Sequence, residues 1–196
     1  MSLIHFNIRS IQKNLQKFLN YIETLEFQFA VMGFSETWFT DTNHSLYDID
    51  GYNMVSKYRM SKKGGGVCLY IRKSISYTLR IDLDAMNDCI EAKFIEIDRD
   101  AFRTSQDIVI GVIYRPPNTD LSLFNETLID LLYNIRSEHK LVYLMGDYNI
   151  NLLSSETHTL TSEFLELMFS NNYVPLINRP TRVSKSTATI IDNIFY

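Results

Sequence analysis

The sequence predicts an α/β fold in which two packed mixed β-sheets are flanked by helices, and three observations carry that expectation. Strand-like apolar runs recur along the chain, several of them apolar on consecutive positions, as strands covered on both faces are. Segments with helical spacing lie towards both ends and leave the middle to strands. The chain has 196 residues, 45% of them hydrophobic, which suits one well-buried domain over 1–196 and is short for two.

The run Leu3 to Ile8 opens the chain as a strand. Ile11, Leu15, Phe18, Leu19, Ile22 and Leu25 then recur at helical spacing, with Ser10 placed to cap the start. Strands follow over Phe29 to Ser35, Val67 to Arg72, Cys89 to Ile97 and Ile108 to Tyr114. The last three of these have no helical pattern between them and are expected to pair as an antiparallel meander. A second helix enters through Asn118-Thr119-Asp120 and carries Phe124, Leu128, Leu131, Leu132 and Ile135. Leu141 to Met145 reads as a strand, a shorter helix lies around Leu160, Phe164, Leu167 and Met168, and Thr189 to Phe195 reads as a final strand. There is no internal repeat and no linker.

Composition narrows the class. Cys68 and Cys89 lie in strand-like runs and read as buried free thiols. No apolar run approaches the roughly 20 residues of a membrane span, and the start shows no secretion signal. The expectation is therefore a soluble intracellular domain without membrane partners, in which the sequons at Asn43 and Asn125 are chance matches. The net charge of −4 argues against a molecule coated in positive charge. Cations nonetheless cluster at Arg9 and Lys13, at Lys57, Arg59, Lys62 and Lys63, and at Arg72 and Lys73. Such a rim can hold a phosphate backbone while the remaining surface is acidic.

Polar groups stand repeatedly where an apolar strand ends: Asn7, Glu36, Tyr114-Arg115-Pro116-Pro117, and Asp147 with Asn149. Loops beyond strand ends, held by a rigid sheet, are the usual place for a site. In an extended chain Asp147 and Asn149 point to one side, about 6 to 7 Å apart, a spacing that lets a carboxylate and an amide flank one phosphate. Gly146 permits close backbone approach or a turn. Glu36 offers a hard oxygen ligand suited to Mg²⁺ or Mn²⁺. No Cys/His cluster suggests zinc. Gly64-Gly65-Gly66 lacks the order of a phosphate loop and reads as a tight turn into the next strand.

Together, Asn7, Ser35-Glu36-Thr37-Trp38, Gly64-Gly65-Gly66-Val67, Tyr114-Arg115-Pro116-Pro117, Gly146-Asp147-Tyr148-Asn149 and Ile191-Asp192-Asn193-Ile194-Phe195 resemble the endonuclease/exonuclease/phosphatase superfamily. Ile177-Asn178-Arg179-Pro180-Thr181-Arg182 adds a likeness to the apurinic-type endonuclease domain of non-LTR (LINE-like) retrotransposons. The resemblance implies a four-layer α/β sandwich that cleaves phosphodiesters of DNA with Mg²⁺ or Mn²⁺. By that likeness Glu36 binds the metal with Asn7 beside it, Asn149 and Tyr114 hold the scissile phosphate, and Asp147 orients the attacking water. Arg115 is then a candidate for the DNA backbone, joining Lys62, Lys63 and Arg9 of the basic rim, and Asp192 for the carboxylate that positions a histidine. The compartment implied is nuclear if the substrate is chromosomal, and a reverse transcriptase domain is the partner if one is encoded downstream.

In that family the sheet closes with a strand bearing Ser-Asp-His, and this sequence shows no such segment after Asp192, so the last strand is expected to be missing. His44, His139 and His158 match no site position. His5 shares a strand face with Asn7 and reads as a hydrogen-bonded core histidine. Three functions remain open at this point: a DNA-nicking endonuclease, a truncated relative that binds DNA or metal without turnover, and a phosphoesterase of small molecules.

Overall fold

The computed structural model describes residues 1–60 and 63–196. In chain order the elements are β1 (Leu3–Asn7), α1 (Ile11–Glu23), β2 (Val31–Ser35), β3 (Tyr52–Lys57), β4 (Val67–Arg72), β5 (Thr78–Leu79), β6 (Ala85–Met86) and β7 (Glu91–Ile97). They continue with β8 (Ile108–Tyr114), α2 (Leu121–Arg136), β9 (Leu141–Asp147), α3 (Thr159–Ser170), β10 (Arg182–Val183), β11 (Ala188–Thr189) and β12 (Asp192–Phe195).

Two mixed sheets result. The first has the order β1-β2-β4-β3 and the second β12-β9-β8-β7-β5, with β6 also on β7. The pairs β1–β2 and β8–β9 are parallel and the others antiparallel. Side-chain alternation sorts the core into three slabs, which stack the layers in order. Phe34, Cys68 and Tyr70 face Ile11 and Phe18 of α1 on the outside of the first sheet. Val67, Leu69 and Ile71 point the other way and meet Ile95, Ile110, Val112 and Met145 between the sheets. Phe94, Val109, Ile113 and Leu144 cover α2 and α3 on the far side. The expected sandwich of helix, sheet, sheet and helix is thus the observed one. No helix among the described residues is long and apolar enough to cross a membrane.

Several details differ from expectation. The meander of three strands does not form: β7 pairs with β8, but β4 lies in the other sheet between β2 and β3. Consecutive apolar residues say that both faces of β4 are covered, not by which sheet. The edge strand β3 was not anticipated, because half-exposed Tyr52–Lys57 mixes polar and apolar residues without a clean period. The final run divides at Ile190–Ile191. There the backbone N–H of Ile190 goes to Asn151 Oδ1 and that of Ile191 to Thr181 Oγ1 instead of to a neighbouring strand. Ser10 does not cap α1 through its side chain. Its φ is 85° and its carbonyl takes the N–H groups of Lys13 and Asn14. Asp120 does cap α2, accepting from Leu123 N at 3.1 Å. Cys68 and Cys89 are buried and free, and Asn125 is buried in α2, out of reach of a glycan.

Gly146 sits where β8 and β9 approach so closely that a Cβ would overlap the carbonyl oxygen of Ile113. The obstructing atoms are all backbone of Ile113, which has no side-chain freedom with which to yield. Gly146→Ala is therefore expected to cost roughly 3 kcal/mol or more, read as a fall in the urea midpoint with an unchanged slope.

Candidate active site

The topology brings the polar strand ends to one edge of the sandwich. Asn7 ends β1 opposite Ser35, which ends β2 and leads into Glu36. In the second sheet Tyr114 lies opposite Asp147, and Asp147 opposite Asp192. Because β12 runs antiparallel to β9, its first residue meets the last of β9. Between these ends opens a cleft of about 540 Å³ lined by His5, Phe6, Asn7, Arg9, Glu36, Pro117, Asp147, Asn149, Thr181, Arg182, Ile191 and Asp192.

Asn7 bridges the two sheets, its Nδ2 donating to Glu36 Oε1 at 2.9 Å and to Asp147 Oδ2 at 2.6 Å. The other oxygen of Asp147 accepts the Asn149 N–H at 2.9 Å. Asn149 does not continue the strand. Its φ is 48°, and its Nδ2 donates to the Arg115 carbonyl at 2.8 Å. The extended spacing expected for Asp147 and Asn149 is thus replaced by a turn, made because β9 ends at Asp147 and Tyr148 drops into the core. Tyr148 is 1% exposed and donates to the Leu144 carbonyl.

Asp192 is held by Thr181, whose Oγ1 donates to Asp192 Oδ2 at 2.9 Å and accepts the N–H groups of Ile191 and Asp192. Its other oxygen is buried without a hydrogen bond, 3.7 Å from His5 Nδ1. His5 Nε2 contacts Ser35 Oγ at 3.2 Å, and burial pushes its pKa down to about 3. It is the hydrogen-bonded core histidine expected, yet it also forms part of the cleft wall.

Three carboxylates face this cleft with one neutral amide between two of them. Asp147 is 2% exposed. Burial first, and the charge of Asp192 next, push its pKa up to about 7, against the pull of Asn7 and the Asn149 N–H. Burial likewise raises Asp192, while Thr181 and Arg182 pull it back. A cation near Glu36 and Asp147 relieves this repulsion, so the donors fit a hard divalent ion. Among the described residues no group of three or more His, Cys, Asp or Glu makes a protein cage. A cation here would take one or two carboxylates and complete its shell with other oxygen ligands.

Tyr114 lies beneath the cleft, 3% exposed, its acidity weakened by burial and by the charges of Glu36, Asp147 and Glu91. Arg9 is exposed on the cleft wall with φ 42°. Lys63 stands over the Trp38 ring at 6.0 Å. Lys62 lies outside the described residues. Arg115 departs from expectation. It is 7% exposed, and its guanidinium donates inward to Thr119 and to the carbonyls of Pro116 and Asn149. It braces the loop after β8 and has little surface left for a phosphate. Thr181 belongs to the Asn178-to-Arg182 stretch but has no role assigned from sequence, Glu91 carries no motif, and only the folded chain brings both to the site.

Comparison with known proteins agrees with this architecture. The endonuclease domain of TRAS1, a telomere-specific non-LTR retrotransposon, superposes with a TM-score of 0.70 at 13% identity, covering 98% of this chain and 83% of that one. The AP endonuclease LMAP from Leishmania major gives 0.68 at 13% identity, covering 98% and 77%. The 3′ phosphatase NExo from Neisseria, solved bound to product DNA hairpin, gives 0.67 at 12% identity, covering 100% and 86%. No curated protein matches the chain in sequence. The Endonuclease/Exonuclease/phosphatase family model, however, matches residues 4–196, and the chain belongs to that family.

Proposed function

We propose that residues 1–196 form one domain that hydrolyses phosphodiesters of DNA with the help of Mg²⁺ or Mn²⁺, in the manner of a nicking endonuclease. The observation that carries this reading is the cleft in which Asn7 joins Glu36 to Asp147 across the two sheets. Glu36 and Asp147, with Asn7 beside them, would hold the cation once the Asn7 amide turns its oxygen inward. The bound ion supplies Lewis-acid polarisation of a phosphoryl oxygen. Asp147, buried and held by Asn7 and the Asn149 N–H, would orient the attacking water and accept its proton. Asn149 donates to the phosphate from a turn fixed by Asp147 and Arg115. Arg9 and Arg182 add positive charge on the cleft wall. Exposed Arg182 on the β10–β11 hairpin and the likeness to a retrotransposon endonuclease favour DNA over a small phosphoester.

A second reading, binding with little turnover, is favoured by His5. It is the one imidazole on the cleft wall among the described residues, and burial makes it a weak base. Incubating the purified chain with supercoiled plasmid and Mg²⁺ separates the two. Nicking well above a Glu36→Ala control is the expected result. Cation and DNA binding without nicking would establish the second reading in its place.

A further inference from the structure

The loop that carries Glu36 has a shape its own residues resist. Glu36 and Trp38 both adopt left-handed backbones, φ 53° and 57°, a region non-glycine residues seldom enter. Two sets of hydrogen bonds impose it. From the α1 side, Ser10 N–H donates to the Glu36 carbonyl at 2.8 Å and Ile11 N–H to that of Thr37 at 3.0 Å. From the other side, Thr37 N–H donates to the Gly66 carbonyl at 3.1 Å and Trp38 N–H to that of Gly65 at 2.9 Å.

The glycine loop is in turn held by a residue of the other sheet. Glu91, the first residue of β7, has a side chain with no exposure. One of its oxygens accepts the Gly66 N–H and the other takes the Arg59 guanidinium. A Cβ at Gly65 would strike both Glu91 and Arg59, and one at Gly66 would strike Thr37 Oγ1. Contact is thus continuous from Glu91 through the loop to Glu36. Glu91 also lies opposite Tyr114, and Tyr114 opposite Asp147. Glu36 and Asn7 come from the first sheet, Tyr114, Asp147 and Asp192 from the second. A carboxylate rooted in the second sheet therefore grips the loop that presents Glu36 from the first.

We propose that Glu91, with Arg59 as its counter-ion, is a positioning residue that acts through Gly65 and Gly66 to set the Glu36 loop against Asp147 across the gap between the sheets. A buried acceptor of this kind is not replaceable by water, and an amide in its place offers one acceptor oxygen where the carboxylate serves both the Gly66 N–H and Arg59. The inference rests on the reading of Glu36 as a cation ligand, but its first readout does not.

Trp38 is the chain's one tryptophan, and its Nε1 donates to Glu36 Oε2 at 3.3 Å, so its emission reports on this loop. Glu91→Gln, free of divalent cation, is expected to shift Trp38 emission to longer wavelength. It should also raise the midpoint for quenching by Mn²⁺ at least tenfold, as loss of outer support does at metal sites. Leu132→Ala, in the distant helix-facing core, should lower the thermal midpoint and leave both Trp38 readouts unchanged. Unchanged emission and midpoint in folded Glu91→Gln overturn the proposal. If Glu91→Gln does not fold, Arg59→Gln carries the test, with a smaller shift in the same direction expected and none overturning it. Should Glu36→Ala leave the Mn²⁺ midpoint untouched, the cation reading fails by itself, and the emission shift still decides the role of Glu91.

Discussion

Asp147→Asn is expected to make the cation-free protein more stable above pH 7 while removing most of its turnover. The sign follows from the raised pKa. Asp147 titrates near 7 in the folded chain against a reference of 3.8. Below pH 4 the carboxyl is protonated in both states and contributes nothing to the balance. Between pH 4 and 7 the unfolded chain loses the proton first, so stability falls as pH rises, and above 7 the full cost is present. For a group this buried the cost is of order 2–4 kcal/mol, shared with Asp192 through their mutual repulsion. Asparagine does not titrate and keeps an acceptor for the Asn149 N–H, so it removes that cost. In chelator, wild type should lose thermal stability between pH 5 and 8 while Asp147→Asn stays level. Saturating Mn²⁺ should restore wild type and do little for the variant. Cleavage should fall by about 10² to 10⁴ if Asp147 accepts the water's proton. A variant with the wild-type pH profile would exclude the buried charge as the source of the slope. This is the familiar conflict in which a site retains groups that the fold alone disfavours.

Phe164→Ala is expected to have the largest effect on stability of any single truncation at the site's foundations. Phe164 is fully buried on α3, with ring centroids 5.5 Å from Tyr148, 5.7 Å from Phe195 and 6.2 Å from Phe124. Losing a ring from such a cluster costs about 3–5 kcal/mol, which in a domain of this size lowers the thermal midpoint by roughly 10 °C. The consequence reaches the cleft, because Tyr148 sits between Asp147 and Asn149 and Phe195 ends the strand that begins at Asp192. Phe164→Leu should retain most of the stability and, at temperatures where it is folded, near-normal cleavage. A fall in cleavage with no loss of stability would mean that the cluster does more than support the turn.

Much of this molecule was legible in its sequence because the signals are local. Strands β4 and β8 and the cores of α1 and α2 follow from apolar periodicity, and polar residues at strand ends marked Asn7, Glu36 and Asp147 before any pairing was known. Local pattern says that a face is covered without saying by what. It therefore misassigned β4 to a meander and passed over β3, whose half-exposed edge has no clear period. The extended geometry assumed for Asn149 failed for a related reason, since the burial of Tyr148 turns the backbone. Arg115 reads as a phosphate contact only through the family likeness of Tyr114-Arg115-Pro116-Pro117; the carbonyls that claim it come from Pro116, Thr119 and Asn149.

By itself, then, the sequence determined that two sheets lie between helices and that their strands end in carboxylates and amides. Only the tertiary structure decided which of those ends meet: Asn7 between Glu36 and Asp147, His5 beside Asp192, and Glu91 under the loop of Glu36. Periodicity is a property of neighbours in the chain. The two bonds of Asn7 alone join residues 29 and 140 positions apart, and such distances depend on how two twisted sheets come to rest on one apolar slab.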